Sequence, residues 1–158
     1  MSSSPSEQYT IRRATAAEAE RVVAHRRSMF FDMGYRDPWL EEMTVVFRPW
    51  LLRKMESGDY LEWFATGADG AVVAGAGLWL MEWMPHRAGG RGRRGNVLNV
   101  YTERGHRRRG LARRLMETVV GWCRAEGVEV VILHASDEGR PLYESMGFKA
   151  TNEMRIDL

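Results

Sequence analysis

A short turn rich in arginine and glycine is the stretch of this chain best suited to chemistry. It runs from Arg107 to Ala112, between an apolar segment, Val97 to Tyr101, and a helical pattern that begins at Leu111. A strand, a glycine-containing turn and a helix aim several backbone N–H groups and a helix N-terminus at one point, which favours an anion and above all a phosphate. Gly110 permits backbone conformations closed to other residues and lets a ligand approach closely.

The alternative interpretation of this turn is an Arg-rich surface loop whose glycine only caps the helix. Two other phosphate motifs do not apply: there is no G-x-x-x-x-G-K-[ST], and the G-x-G-x-x-G at residues 90–95 lies in a loop before a strand and does not directly follow one. The glycine and arginine residues therefore favour a phosphate site here, but they do not identify the molecule that carries the phosphate.

The elements on the N-terminal side of the turn begin with a short strand at residues 9–12. A capping-box pattern at Thr15–Glu18 opens a first helix that should end near Gly34. Asp37-Pro38 is typical of a second helix start, and Pro49 should kink or split that helix before it stops at Gly58. The residue patterns thus predict two consecutive helices after the first strand.

Strand patterns then take over. We expect a hairpin of residues 61–66 and 71–83 around an Asp-Gly turn, with a bulge or close backbone approach at Gly75–Gly77. Residues 85–95 should form a mobile basic loop. After the arginine turn come a helix that ends at Gly127, a buried strand at 128–134, a short helix at 141–146 and a last strand at 148–158.

Together these elements predict an α/β (α+β) fold. We expect a single domain over residues 8–158, with a mixed sheet of about six to seven strands and about four helices, and a disordered lead at residues 1–7. The chain has 158 residues, which suits one sizeable core.

Composition excludes several classes of protein. The net charge of +2 is too small to demand a polyanionic partner, although nearly all positive charge is Arg, with only two lysines, Lys54 and Lys149. The single cysteine, Cys123, rules out an intrachain disulfide and should be a buried structural thiol. No apolar run is long enough for a membrane span, and no signal peptide is evident, so we expect a cytoplasmic protein.

Two motifs in this chain resemble the signatures of the GCN5-related N-acetyltransferases (the GNAT family). Arg107, Gly110 and Ala112 occupy the places of that family's Arg/Gln-x-x-Gly-x-Gly/Ala core, which follows a strand and opens a helix. The segment Leu142–Phe148 resembles the second signature, a helix with an aromatic residue that ends in Gly-Phe. The spacing and the order of elements across residues 9–158 also fit the family.

The resemblance implies acetyl-CoA as acyl donor and an amine as acceptor, with no metal. In the family the strand before the turn bulges away from its neighbour, and pantetheine fills the gap. The backbone of Val100 and Thr102, with Tyr101 between them, would then bind the acetyl and pantetheine groups. Backbone amides of the turn would hold the pyrophosphate; the residues concerned are Arg107, Arg108, Arg109, Gly110, Leu111, Ala112 and Arg113.

The same resemblance assigns Tyr143 as the general acid for the leaving thiolate, and its alternative is a core aromatic. The general base is open between Glu82, at the end of the long hairpin arm, and His134, at the end of the buried strand. Either residue has a purely structural alternative. Asn99 could orient a water, and Ser136 or Asp137 stands where the family often has an asparagine that orders pantetheine.

The acceptor should lie between the two N-terminal helices and the strand ends. Large apolar residues are unusually frequent there, which favours an acceptor with an apolar or aromatic body; they are Met29, Phe30, Phe31, Met33, Tyr35, Trp39, Trp79, Trp83 and Met84. We expect N-acetyl transfer to a small-molecule amine by direct attack in a ternary complex. The alternatives are a protein or peptide acceptor, a non-catalytic acyl-CoA binder and an Arg-rich nucleic-acid-binding module; a homodimer is left open.

Overall fold

The computed structural model describes residues 8–85 and 92–158. The expected lead at residues 1–7 and the centre of the expected basic loop, residues 86–91, lie outside that range.

The centre of the fold is one five-stranded sheet in the order β1-β2-β3-β4-β5. The strands are β1 (Thr10–Arg13), β2 (Tyr60–Thr66), β3 (Val72–Glu82), β4 (Arg93–Thr102) and β5 (Val130–Leu133). The first four pair antiparallel, whereas β5 is parallel to β4. The helix between β4 and β5 supplies the long crossover that a parallel pair requires.

Helices cover both faces of the sheet. They are α1 (Ala19–Asp32), α2 (Trp39–Ser57), α3 (Leu111–Ala125) and α4 (Arg140–Ser145). One core cluster joins α1 and α2 to Tyr60 and Phe64 of β2, and the other joins α3 to Leu61 and Trp63 of the same strand. Because side chains alternate along β2, this fully buried strand packs one set of side chains into each of the two core clusters.

The predicted α+β class and four helices are confirmed, but the described sheet has five strands rather than six or seven. The last strand, predicted at residues 148–158, is not present, and residues 149–158 are exposed. Alternating side chains give a strand only where a neighbouring backbone supplies hydrogen bonds, and this segment has no such neighbour in the described chain.

Two local predictions also change. Pro49 lies inside α2 without splitting it, because Phe47 and Leu51 on either side are both buried against the sheet. Arg93–Gly95, expected at the end of a loop, belong to β4, where Arg93 pairs with Glu82. Cys123 is buried as predicted, and its burial raises the pKa of the thiol to about 11.

Candidate active site

A bulge in β4 lies at the middle of the predicted cofactor stretch. Gly75 pairs with Tyr101 and Gly77 with Leu98, so Asn99 and Val100 together face the single residue Ala76. Asn99 has a positive φ of 57°, a conformation that asparagine tolerates better than most residues. The predicted irregularity at Gly75–Gly77 is therefore present, and it changes the direction of the backbone at Val100.

Beside the bulge, β4 and β5 separate. Their parallel pairing runs from Arg94 with Val130 to Val97 with Leu133 and stops there. From Leu98 to Thr102, β4 has a paired neighbour only on its β3 side within the described sheet. An extended ligand that carries amide groups could hydrogen-bond to that free edge as a strand would.

The turn that follows ends in a helix N-terminus with free donors. Gly110 is the N-cap of α3 and has a left-handed φ of 75°, and the first helical hydrogen bond runs from Arg114 N–H to the Gly110 carbonyl. The amides of Leu111, Ala112 and Arg113 thus precede the helical ladder. No side-chain cap from the described residues satisfies them. Together with the helix dipole they make an anion-binding position.

The arginine side chains of the turn are largely engaged with the protein. Arg107 donates to Thr102 O at 2.9 Å and to Asp32 at 2.6 Å, and Arg104 donates to the other oxygen of Asp32 at 2.7 Å. These two guanidinium groups lower the pKa of the Asp32 carboxyl. Arg109 donates to the hydroxyl of Tyr9 at 3.1 Å. The backbone of the turn, rather than these three side chains, is what remains available to a phosphate.

Tyr143 lies on α4. Its ring contacts Phe148 edge-to-face at 6.0 Å and packs on the same core cluster as Val100. Burial raises the pKa of the Tyr143 hydroxyl, which keeps it protonated at neutral pH. Arg113 donates to Ser145 Oγ at 2.7 Å, so the start of α3 is tied directly to the helix that carries Tyr143. The two sequence motifs therefore meet in space.

The two candidate bases are placed very differently. Glu82 pairs with Arg93, six residues along β3 from Ala76, which corresponds to about 20 Å of extended strand. That separation is too great for Glu82 to take a proton at the bulge. His134 directly follows β5 at the point where the two strands part, and it is exposed. Of the two, only His134 borders the gap.

Comparison with known proteins resolves the family. The model of the acetyltransferase (GNAT) family matches residues 19–148. The chain belongs to the GNAT acetyltransferases. It is an acyltransferase whose acyl donor is acetyl-CoA. A search of curated proteins found no match to its sequence.

Solved structures agree with that family. This GNAT chain is similar to a GCN5-related N-acetyltransferase from Ralstonia eutropha JMP134, at 34% identity and a TM-score of 0.88 over 95% of this chain and 98% of that one. It is also similar to a predicted acetyltransferase from Clostridium acetobutylicum, determined with acetyl-CoA, at 26% identity and a TM-score of 0.80 over 95% of each chain. An aminoglycoside acetyltransferase from a soil metagenome, at 20% identity and a TM-score of 0.70 over 95% and 97%, shows the fold alone.

The residues present fit the donor that this family uses. The free edge of β4 offers hydrogen bonds to an extended amide chain, and the uncapped amides of α3 offer a seat for its pyrophosphate. The described residues contain no group of three or more His, Cys, Asp or Glu side chains that could hold a metal ion. None of the helices within the described ranges is long and apolar enough to cross a membrane.

A buried polar network behind the bulge was not predicted from the sequence. Arg26 donates to Asn99 Oδ1 at 2.7 Å, Asn99 donates to the Tyr60 hydroxyl at 2.8 Å, and Tyr60 donates to Glu62 Oε2 at 2.8 Å. Glu62 is fully buried, and its Oε1 has no partner among the described residues. A Cβ on Gly75 would lie 2.7 Å from that oxygen, so β3 needs glycine there to leave room for the carboxyl.

Burial sets the protonation of this network. Loss of solvent raises the pKa of Glu62 well above its ordinary value. His25 packs between Phe64 and Tyr101, and burial lowers its pKa to about 4, with the positive charge of Arg21 adding to the effect. His25 is therefore neutral at pH 7, and its 3.8 Å approach to Glu103 is not an ion pair at that pH.

A cavity of about 280 Å³ opens on the α1 side of β4. It is lined by two aromatic residues, Phe31 and Tyr101, and by four polar or charged ones, which are Arg27, Ser28, Asp32 and Arg104. Tyr101 directly follows the bulge, so this cavity adjoins the end of β4 that the donor would occupy. The expected apolar rim is present in part, since Phe30, Tyr35 and Trp39 form an aromatic cluster at the α1–α2 connection.

Proposed function

We propose that this acetyltransferase transfers the acetyl group of acetyl-CoA to the primary amine of a small molecule with an aromatic or apolar body. The observation that carries the proposal is the cavity beside the β4 bulge, which Phe31 and Tyr101 line. Its volume of about 280 Å³ is of the size that a small ligand fills.

On the donor side, backbone groups do most of the binding. The free edge at Val100 and Thr102 hydrogen-bonds the acetyl and pantetheine groups, and the amides at Gly110–Arg113 hold the pyrophosphate. Bound acetyl-CoA supplies a thioester that the acceptor amine attacks and a thiol that leaves. The Val100 N–H, at the bulge, is the donor we assign to the oxygen on which negative charge develops.

Proton transfers complete the reaction. The amine nitrogen forms a bond to the acetyl carbon, the carbon–sulfur bond breaks, and the sulfur receives a proton from the Tyr143 hydroxyl. The nitrogen loses a proton, for which His134, beside the gap, is the acceptor we favour, directly or through water. Glu82 is left out of this scheme because it lies at the far end of β3.

A screen for thiol release tests the proposal. Acetyl-CoA is offered with panels of aromatic amines, aliphatic amines and N-terminal peptides, and we expect turnover with aromatic or apolar small amines. In the best pair, Tyr143→Phe should lower kcat by about 10²-fold or more while acetyl-CoA affinity stays the same. Phe preserves the ring packing, and the Tyr143 hydroxyl has no hydrogen bond to a described residue.

Three results of the screen would count against particular parts of the proposal. Peptide turnover without small-amine turnover would replace the acceptor class. Unchanged kcat in Tyr143→Phe would remove the acid assignment. Tight acetyl-CoA binding without thiol release for any amine class would overturn the proposed reaction.

A further inference from the structure

A side chain that precedes β1 reaches the turn that we assign to the pyrophosphate. The Tyr9 hydroxyl lies 2.8 Å from His106 Nδ1, just before the turn, and 3.1 Å from Arg109 Nη1, within it. Arg114, near the start of α3, donates to the Tyr9 carbonyl at 3.1 Å. Tyr9 therefore connects the two sides of the turn to each other across 97 to 105 positions of sequence.

The hydrogen bonds of the Tyr9 hydroxyl have defined directions. A guanidinium group can only donate, so the hydroxyl oxygen accepts from Arg109, and its own proton is left for Nδ1 of a neutral His106 ring. Tyr9 is only 6% exposed, and it belongs to the same core cluster as Leu111 and Leu115 of α3. The hydroxyl is thus a fixed point for the turn, because the core holds the ring that carries it.

The segment between these two contacts is strained. Arg108 has a φ of 63°, in the left-handed region that a residue with a side chain occupies only where its surroundings enforce it. Before it, Arg107 is fixed by its hydrogen bond to the Thr102 carbonyl. After it, Arg109 is fixed by Tyr9. The Tyr9 hydroxyl is therefore one of the contacts that keep this part of the turn in a single conformation.

We propose that the Tyr9 hydroxyl is a positioning group for the acyl donor. It holds the turn, before acetyl-CoA binds, in the conformation in which the backbone amides ahead of α3 converge on the pyrophosphate. Tyr9 acts here through His106 and Arg109 and does not itself contact the donor. Without the hydroxyl, part of the binding free energy is lost in ordering the turn. The inference rests on the proposed function, in which this turn holds the pyrophosphate of acetyl-CoA.

Tyr9→Phe tests the proposal, because it removes only the hydroxyl and keeps the ring in the core. By isothermal titration, the affinity for coenzyme A should fall about fivefold, the size expected for the loss of a hydrogen bond that organises the site. The affinity for pantetheine, which has no pyrophosphate and is titrated by NMR because it binds weakly, should stay the same. A merely structural role would weaken the binding of both ligands together.

Thr44→Val is the matched control. It also removes a buried hydroxyl, whose hydrogen bond to the Leu40 carbonyl lies within α2. It should lower the stability in urea without changing the affinity for coenzyme A. Equal coenzyme A affinities for Tyr9→Phe and Thr44→Val would overturn the proposal, and so would a loss of pantetheine affinity as large as the loss for coenzyme A.

A double-mutant cycle tests the route through Arg109. In an Arg109→Ala background, Tyr9→Phe should weaken coenzyme A binding much less than it does in wild type, because the hydroxyl has already lost that partner. Additive losses would contradict the assigned route. These readouts need no acceptor. Failure of the wild-type chain to bind coenzyme A would overturn the donor site of the proposed function, whereas tight binding that is equal in Tyr9→Phe would overturn this inference alone.

Discussion

At the scale of single residues, Gly110 should matter more to acetyl-CoA binding than the arginines around it. A β-branched side chain is strained at the φ of 75° that Gly110 adopts, and relaxing that strain would rotate the amides at the start of α3 away from the pyrophosphate. We expect Gly110→Val to weaken acetyl-CoA binding by about tenfold or more, which corresponds to about 1.4 kcal/mol. Arg108→Ala should change it by much less. Isothermal titration measures both.

The chain offers a control for the strain itself. Gly58, at the end of α2, has nearly the same φ, 77°, with open space around it, and it lies outside the cofactor turn. Gly58→Val should therefore lower stability as Gly110→Val does, without weakening acetyl-CoA binding. Equal affinities for the Gly110→Val and Arg108→Ala variants would contradict a cradle built from backbone amides.

At the scale of elements, the bulge of β4 should depend on the side chain of Asn99. Its amide holds Arg26 on one side and the Tyr60 hydroxyl on the other, and its positive φ makes the bulge. Asn99→Ala would leave half-buried Arg26 without this acceptor and put a strained residue at the bulge, so we expect a loss of about 2–4 kcal/mol in stability. We also expect weaker acetyl-CoA binding, because β4 would relax towards a regular strand.

Tyr60→Phe is the control for that effect. It removes two hydrogen bonds of the same network, from Asn99 and to Glu62, but leaves Asn99 joined to Arg26, so it should lower the stability while the acetyl-CoA affinity stays close to wild type. Denaturant unfolding and titration calorimetry on both variants separate the two quantities. Unchanged affinity in Asn99→Ala would show that the bulge does not depend on this side chain.

The same elements show how far sequence reasoning could reach. Features that depend on neighbouring residues were predictable from the sequence. The amphipathic pattern predicted α3, Gly110 predicted the turn at its start, and the small residues of β3 predicted the bulge. The Arg26–Asn99–Tyr60 contacts were not, because they join residues 73 and 39 positions apart and no local pattern marks them. The strand predicted at 148–158 failed for a related reason, since the partner of a strand is not written in its own sequence.

At the scale of the whole molecule, buried groups tie the stability of the fold to pH. His25 is buried between α1 and the sheet with a pKa of about 4, below the value near 6.5 of an unfolded chain. Between those values the unfolded state binds more protons than the native state, so stability falls as pH falls. For this one group we expect a loss of about 2 kcal/mol between pH 8 and pH 5. The carboxyl of Glu18, held by Arg12 at a pKa of about 2, contributes to acid sensitivity only below about pH 4.5. The buried Glu62 carboxyl, whose pKa is raised, acts in the opposite sense and stabilises the native state as pH falls towards 4.5, so the share of His25 is the difference between wild type and a variant without it.

Replacing His25 with Phe should remove the contribution of this one group, because a neutral ring can keep the contacts with Phe64 and Tyr101 at every pH. Urea unfolding of both proteins at pH 8 and pH 5 measures the difference, with the exposed His134→Gln as the control that should keep the wild-type slope. If His25→Phe loses as much stability as wild type between these pH values, the acid sensitivity arises elsewhere. If it loses less, protonation of His25 lowers the free energy of unfolding in mild acid. Because the His25 ring also contacts Tyr101, which lines the acceptor cavity, the same protonation should disturb the site in that pH range.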